Sequence, residues 1–261
     1  MLEAKINGIN MKYRIVGEGP PVLLVHGLGG DMRGWEFQEE PLSKHFKLIM
    51  MDQRGHGYST GPGMDFISAE VFANDLNALL EYIGIDRVSV VGGSMGGLIC
   101  QQFVLDFPER VNKLVLISTG PKITEQTIDV VYAWREAQVA GDDEAYFEAS
   151  IRSSYPEEFI EQNKDVIEYI KNRENLLNPD GVIAAGLGLA TFNVENQLHK
   201  IKVPTLIIHG AEDQIFNVSL AQEATKLIQN SKLVILPGCG HDPNIQLTEQ
   251  LNQLLIDFLR D

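Results

Sequence analysis

A serine between glycines, Gly92-Gly93-Ser94-Met95-Gly96, follows the apolar, β-branched run Val88 to Val91 and precedes Gly97-Leu98-Ile99. The pattern reads as a strand, a sharp bend and a helix. Such a bend exposes the Ser94 hydroxyl at the C-terminal edge of a sheet, with the N–H groups of the following helix pointed at the same spot. The glycines two residues either side are explained by sterics, because side chains there would collide as strand and helix close together. The chemistry this permits is nucleophilic attack. A serine hydroxyl is too weakly acidic to attack a carbonyl unaided, so a histidine base and a third group orienting that histidine are required.

His241 supplies the base in Gly238-Cys239-Gly240-His241-Asp242-Pro243, a loop after the last apolar strand. Asp213, just past the strand that ends at His209, supplies an acid able to accept from His241 Nδ1. Glu212 is the rival acid, and Asp242 stands too close to His241 along the chain to orient it. His26-Gly27-Leu28-Gly29-Gly30 ends an earlier buried strand, where glycine lets the backbone curl toward the nucleophile. The expected oxyanion donors are the backbone N–H groups of Leu28 and Met95. His26 itself reads as a structural residue holding its loop. Asp52-Gln53-Arg54-Gly55-His56-Gly57-Tyr58-Ser59 is chemically rich, but its glycine spacing suits a tight turn whose polar side chains satisfy buried backbone groups. Cys239 reads as a small space-filling residue.

Other site chemistries do not fit the residues. No Gly-Lys-Ser/Thr follows a glycine loop and no G-x-G-x-x-G occurs at either glycine-rich turn, so nucleotide phosphate cradles are not indicated. The six histidines include no pair at H-E-x-x-H spacing, which leaves a metal site without support.

The elements that must position these residues alternate. Residues 9–16, 22–25, 48–51, 87–91 and 114–117 read as strands. Residues 35–45 and 95–107 read as helices, and Ser68 caps a third that carries Val71, Phe72, Leu76, Leu79, Leu80 and Ile83 before Gly84 stops it. This rhythm predicts a parallel sheet with helices on both faces. After Gly120-Pro121 it is lost, and 121–198 reads as helical, acidic and aromatic-bearing, with Trp134, Tyr146, Phe147, Tyr155, Phe159 and Tyr169. These aromatics are either ordinary core or the lining of an apolar acyl pocket. Strands resume at 203–209 and 233–236, and an amphipathic helix through Leu247, Leu251, Leu254, Leu255 and Phe258 closes the chain.

At 261 residues, 44% of them hydrophobic, one α/β domain with an insertion is the expected scale. A formal net charge of −15 argues against nucleic acid and anionic membrane as partners, since both require a cationic face. Two cysteines are too few for a disulfide framework, and with neither a leader nor an uninterrupted apolar span the expected address is cytoplasmic.

Five motifs in order, His26 to Gly30, Asp52 to Ser59, Gly92 to Gly97, Gly210 to Asp213 and Gly238 to His241, make the chain resemble α/β-hydrolase-fold proteins over essentially its whole length. The resemblance implies an α/β-hydrolase fold with core 1–120 and 199–261, and a mobile helical cap at 121–198 that selects substrates. Within that superfamily the chain is most similar to small carboxylesterases and 3-oxoadipate enol-lactonase-like hydrolases. Ser94 stands where dehalogenases and epoxide hydrolases of this fold carry Asp. Gly93 stands where carbon–carbon bond hydrolases often have Asn and many esterases His. Asp242-Pro243-Asn244 departs from the small or apolar residues frequent after the histidine.

The expectation is a cofactor-independent serine hydrolase of a small-molecule ester or lactone, acting as monomer or homodimer. Its triad is Ser94, Asp213 and His241, and its rate rises with pH as His241 loses its proton. An enol-lactone hydrolase is the alternative; its anionic ring would want a cation, for which Arg33, Arg135, Arg152 and Arg173 are candidates. A ligand-binding protein of the same fold, with slow or no turnover, is the alternative of a different class.

Overall fold

The computed structural model describes residues 1–61, 64–172 and 178–261. Eight strands form one sheet: β1 (Leu2–Ile6), β2 (Ile9–Val16), β3 (Pro21–Val25), β4 (Lys47–Met51), β5 (Val88–Gly93), β6 (Val111–Ile117), β7 (Thr205–Gly210) and β8 (Ser231–Leu236). Their spatial order is β1-β2-β4-β3-β5-β6-β7-β8. β2 runs antiparallel to both its neighbours, and β4, β3, β5, β6, β7 and β8 are mutually parallel. The expected parallel sheet is therefore present, with an antiparallel edge hairpin added.

Period-two alternation sends each strand's residues into two separate cores. Val22, Leu24, Leu48, Met50, Val91, Val115 and Ile208 face one side. There they meet Leu42 of α1 (Glu36–Ser43) and Leu251, Leu255 and Leu259 of α11 (Thr248–Arg260). Those last three recur at i, i+4 and i+8, the stripe by which an amphipathic helix covers a sheet. Leu23, Val25, Ile49, Met51, Val90, Leu114 and Ile207 face the other side, under α2 (Ala69–Tyr82), α3 (Met95–Asp106) and α9 (Val218–Leu227). Ser68 occupies the N-cap of α2 in extended conformation, although its side chain makes no capping bond. The region read as one helix over 35–45 is a 3-10 turn at Met32–Trp35 followed by α1.

Between β6 and β7 lie α4 (Glu125–Val139), α5 (Asp143–Ser154), α6 (Glu157–Gln162), α7 (Lys164–Asn172) and α8 (Pro179–Leu189), with no strand among the described residues. α8 meets the core tightly at two places, where a Cβ on Gly181 would strike the Gly55 carbonyl and one on Gly188 would strike the Ile67 carbonyl. Among the described residues, no helix is long and apolar enough to cross a membrane.

The turn after β4 is held as its polar residues suggest. Asp52 accepts from the Met32 and Tyr58 N–H groups at 2.9 and 2.8 Å, and Ser59 Oγ donates to the Asp52 carbonyl at 2.6 Å. Arg54 makes a buried two-pronged pair with Asp75 on α2, at 2.6 and 2.7 Å. The Gln53 N–H donates to His26 Nε2 at 3.0 Å, so His26 carries its proton on Nδ1 and donates it to the Gly27 carbonyl at 2.8 Å. Burial lowers His26 to about 4 and His56 to about 3, the second helped by the adjacent His26 imidazole, beside which a second proton would be repelled.

Both groups are neutral in the folded chain, and in the unfolded chain they protonate near the ordinary value of about 6.5. The stability they support is complete above that pH and is lost as the pH falls toward the folded values. For His26 alone the loss between pH 7 and 4 is expected to be about 3 kcal/mol, read as a falling urea midpoint.

Candidate active site

Ser94 joins β5 to α3 with φ 54 and ψ −122, a conformation that costs a non-glycine residue on the order of 1–3 kcal/mol. Its N–H donates to the Ile117 carbonyl at the end of β6 at 2.9 Å, and its carbonyl accepts from Gly97 N–H at 2.9 Å. The flanking glycines are forced as the sequence suggested. A Cβ on Gly92 would lie 2.7 Å from Cys100 Sγ, and one on Gly96 would lie 2.7 Å from the His26 carbonyl. Gly27 presses on the serine itself, since a Cβ there would sit 3.3 Å from Ser94 Cβ.

His241 Nδ1 and Asp213 Oδ2 lie 2.8 Å apart. The other carboxylate oxygen of Asp213 accepts from the Ile215 and Phe216 N–H groups, both at 2.9 Å, which locks the acid. Asp213 is buried while Glu212 is exposed, so Asp213 is the acid that meets the histidine. Burial pulls the His241 imidazole down, but the Asp213 charge and hydrogen bond, with Asp242 adding to them, outweigh it and hold His241 above the ordinary value. The ring also stacks at 13° to Phe216, with centroids 6.1 Å apart.

The cavity at Ser94 has two lobes. An apolar one of about 130 Å³ is walled by Met95, Ile123, Val131, Val182, Ile215 and Phe216 among others. A polar one of about 280 Å³ is walled by His26, Trp35, Glu36, Ser118, His241 and Asp242 among others. Ser94, Leu28, Trp134 and Tyr146 line both. The Leu28 and Met95 N–H groups therefore both belong to residues in the wall beside Ser94, and neither donates within the chain among the described residues.

Of the aromatics expected in the insertion, Trp134 and Tyr146 reach the cavity. Tyr155 instead stacks on Phe159 at 5.2 Å, and Tyr169 donates to Glu36 at 2.9 Å. Of the candidate cations, Arg33 pairs with Asp31 at 2.6 Å and Arg152 with Glu148 at 2.8 Å. Arg135 lines the apolar lobe, where it lies over the Tyr132 ring, and Arg173 falls outside the described residues. Cys239 is fully buried in the core behind the loop, its thiol pushed up to about 12 by burial first and then by Asp242 and Asp213.

Two features have no counterpart in the sequence reading. His209 lies buried with Nε2 donating to the Phe216 carbonyl at 2.7 Å and 3.3 Å from Asp213 Oδ2, and burial keeps it below the ordinary value. Its spacing of four from Asp213 was the available signal. The second is a tie between the helical insertion and the histidine loop: His241 N–H donates to the Ser154 carbonyl at 2.7 Å, and Tyr155 Oη donates to Asp242 at 2.6 Å. Asp242-Pro243-Asn244 thereby acquires a reason. Asp242 receives Tyr155, Pro243 opens the short helix α10 (Pro243–Gln246), and Asn244 Nδ2 donates to the Gly34 carbonyl at 3.1 Å. Tyr155→Phe is expected to cost about 2 kcal/mol, the usual loss of a hydrogen bond to a charged group, measurable by urea unfolding beside wild type.

Comparison with known proteins agrees with this architecture. A family model described as alpha/beta hydrolase fold matches residues 20–246. The chain is 32% identical to a putative non-heme chloroperoxidase of Synechocystis sp., over 97% of this chain and 95% of that protein. Among solved structures, the enol-lactonase of Burkholderia xenovorans LB400 superposes with a TM-score of 0.92 at 25% identity, covering 100% of both chains. A thermophilic esterase of Thermogutta terrifontis superposes with a TM-score of 0.88 at 28% identity, covering 99% of this chain and 96% of that one. With the match extending from β3 to the helix after His241, and the eight-stranded sheet in agreement, the chain belongs to the α/β-hydrolase fold family.

Proposed function

We propose that this protein is a serine hydrolase that cleaves small or short-chain carboxylic esters through an acyl-enzyme. The observation that carries the reading is the convergence on one cavity of Ser94 at its strained bend and His241 held at 2.8 Å by a locked Asp213. Ser94 Oγ attacks the ester carbonyl as His241 Nε2 takes its proton. The Leu28 and Met95 N–H groups stabilise the oxyanion, each such donor being worth about 3 kcal/mol in the transition state. Collapse breaks the carbon–oxygen bond, and His241 returns the proton to the departing alcohol. Water, deprotonated by the same histidine, then releases the acid and restores Ser94. Asp213 keeps the imidazole in the tautomer that leaves Nε2 free to accept.

Residues 121–198 serve in this reading as the cap that selects substrate, on the strength of Trp134, Tyr146 and Val182 lining the cavity. Buried, unpaired Cys100 and Cys239 fit a reducing, cytoplasmic setting. Likeness to an enol-lactonase favours a second reading, hydrolysis of a lactone, in which the same steps open a ring. Initial rates on p-nitrophenyl esters of increasing chain length and on an enol lactone, with Ser94→Ala as the blank, test both. Ser94-dependent release of nitrophenol from short esters is expected. A strong preference for the lactone moves the assignment to the second reading, and no Ser94-dependent turnover of any compound removes both.

A further inference from the structure

α8 carries three glycines, Gly181, Gly186 and Gly188. Glycine weakens a helix interior relative to alanine, so each calls for a reason. Two of them share one. Gly181 and Gly188 lie against core backbone, where a Cβ would strike the carbonyls of Gly55 and Ile67. Gly186 has no such neighbour. Its φ is not positive, and a Cβ built on it meets no described atom within 4 Å beyond its own stretch of helix. Neither packing nor backbone conformation therefore requires glycine at this position.

The helix period locates the open space beside Gly186. Val182 and Ile183 precede it by four and three positions, and Leu189 and Ala190 follow it by three and four, so all four share its face of α8. All four line the apolar lobe at Ser94, and so does Gly186. The position at the centre of that wall is thus the one without a side chain. Across the lobe stand Ile128 and Val131 of α4. Tyr132 of α4 and Leu187 of α8 also line it and are 51% and 50% exposed, so the lobe reaches solvent between the two helices.

The neighbouring polar lobe decides which part of an ester belongs here. Ser94 and Leu28 line both lobes, but His241 lines only the polar one. The base that takes the serine proton hands it to the departing alkoxide, so the leaving group lies on the His241 side. The acyl group is left with the apolar lobe.

We propose that the apolar lobe between α4 and α8 holds the acyl chain of the substrate, an ester with an apolar acyl group longer than acetyl, and that Gly186 sets how long a chain the lobe accepts. This rests on the serine-hydrolase reading and deepens it. Glycine at 186 keeps open the volume through which the chain runs. A side chain there enters that volume without meeting the core, so it shortens the acceptable acyl group and leaves the fold in place.

The test is a pair of ester series run on the wild type, Gly186→Ala and Gly186→Leu. The acyl series is p-nitrophenyl acetate, butyrate and hexanoate; the alcohol series is ethyl, butyl and hexyl acetate, followed by acid release. In the wild type, kcat/KM is expected to rise along the acyl series by about two- to fourfold for each methylene that the lobe buries. Gly186→Leu adds a good helix former and is expected to lower the hexanoate-to-acetate ratio by about tenfold or more. Gly186→Ala is expected to lower that ratio a few-fold while raising the urea midpoint, because the helix gains and nothing is struck. A glycine kept for structure alone would not pair greater stability with poorer use of long acyl chains. The hexyl-to-ethyl acetate ratio is expected to hold in both variants. Contraction in the alcohol series instead places the alcohol in this lobe, which overturns the inference and leaves the hydrolase reading standing. Acyl ratios unchanged in the folded variants overturn it as well, and so does a lowered urea midpoint in Gly186→Ala. Circular dichroism checks that Gly186→Leu folds; if it does not, the alanine variant decides. Absence of Ser94-dependent turnover of every ester in both series removes the inference and the hydrolase reading together.

Discussion

Ser94→Ala is expected to lower kcat by about 10⁵–10⁶-fold while leaving the fold intact. On the proposed mechanism the substitution removes only Oγ, the atom that would form the covalent bond, so no acyl-enzyme could be made and His241 would have no hydroxyl to activate. Alanine keeps the Cβ that Gly27 packs against and is no more strained than serine at φ 54, which is why stability is expected to change little. What survives is direct attack of water on an ester still polarised by the Leu28 and Met95 amides, a residue of about 10³–10⁴-fold over the uncatalysed reaction. Mass spectrometry of the wild type quenched during turnover of a slow ester should show an acyl adduct on Ser94, absent from the variant. A variant that kept about a tenth of wild-type kcat would assign the nucleophile elsewhere.

The bend that carries Ser94, the proposed nucleophile, is legible in sequence because its constraints are local. Gly92, Gly96 and Ser94 lie within five residues, and the collisions that force glycine come from the same strand and helix, or from the neighbouring β3. Asp213 and His241 are legible for a related reason: each stands just past an apolar strand, and parallel strands bring their ends to one edge. β1 was equally open to reading and was missed. Only Ala4 and Ile6 of its five residues are buried, so its apolar signal is thin, yet Asn7-Gly8 between Ile6 and Ile9, with φ 44 and 78, is the tight hairpin turn that dipeptide announces. The tie from Ser154 and Tyr155 to the histidine loop leaves no such trace. Its partners are 87 residues apart and belong to elements whose packing no spacing rule specifies. The polar lobe is similar, assembled from the start of α1, the end of β6 and the loop after β8, whose residues look like ordinary surface and turn positions one at a time.

Asp213→Asn is expected to lower kcat by about 10⁴-fold and to shift the pH profile toward acid. Both effects follow from how the carboxylate is held. One oxygen is committed to the Ile215 and Phe216 N–H groups and the other faces His241 Nδ1. Asparagine can keep the two backbone bonds only by turning its NH₂ toward Nδ1, which then has to accept; the ring proton moves to Nε2, and the base can no longer take a proton from Ser94. Turning the other way orphans two buried N–H groups. In the wild type, kcat/KM is expected to rise with pH as His241 deprotonates, with a midpoint above the ordinary imidazole value of about 6.5, because the Asp213 interactions outweigh burial. Without that charge, burial acts against only the smaller pull of Asp242, so the residual activity should reach its plateau at lower pH than in the wild type. An unchanged midpoint in a folded variant would mean that Asp213 does not set the charge state of the base, and its place in the proposed triad would fall.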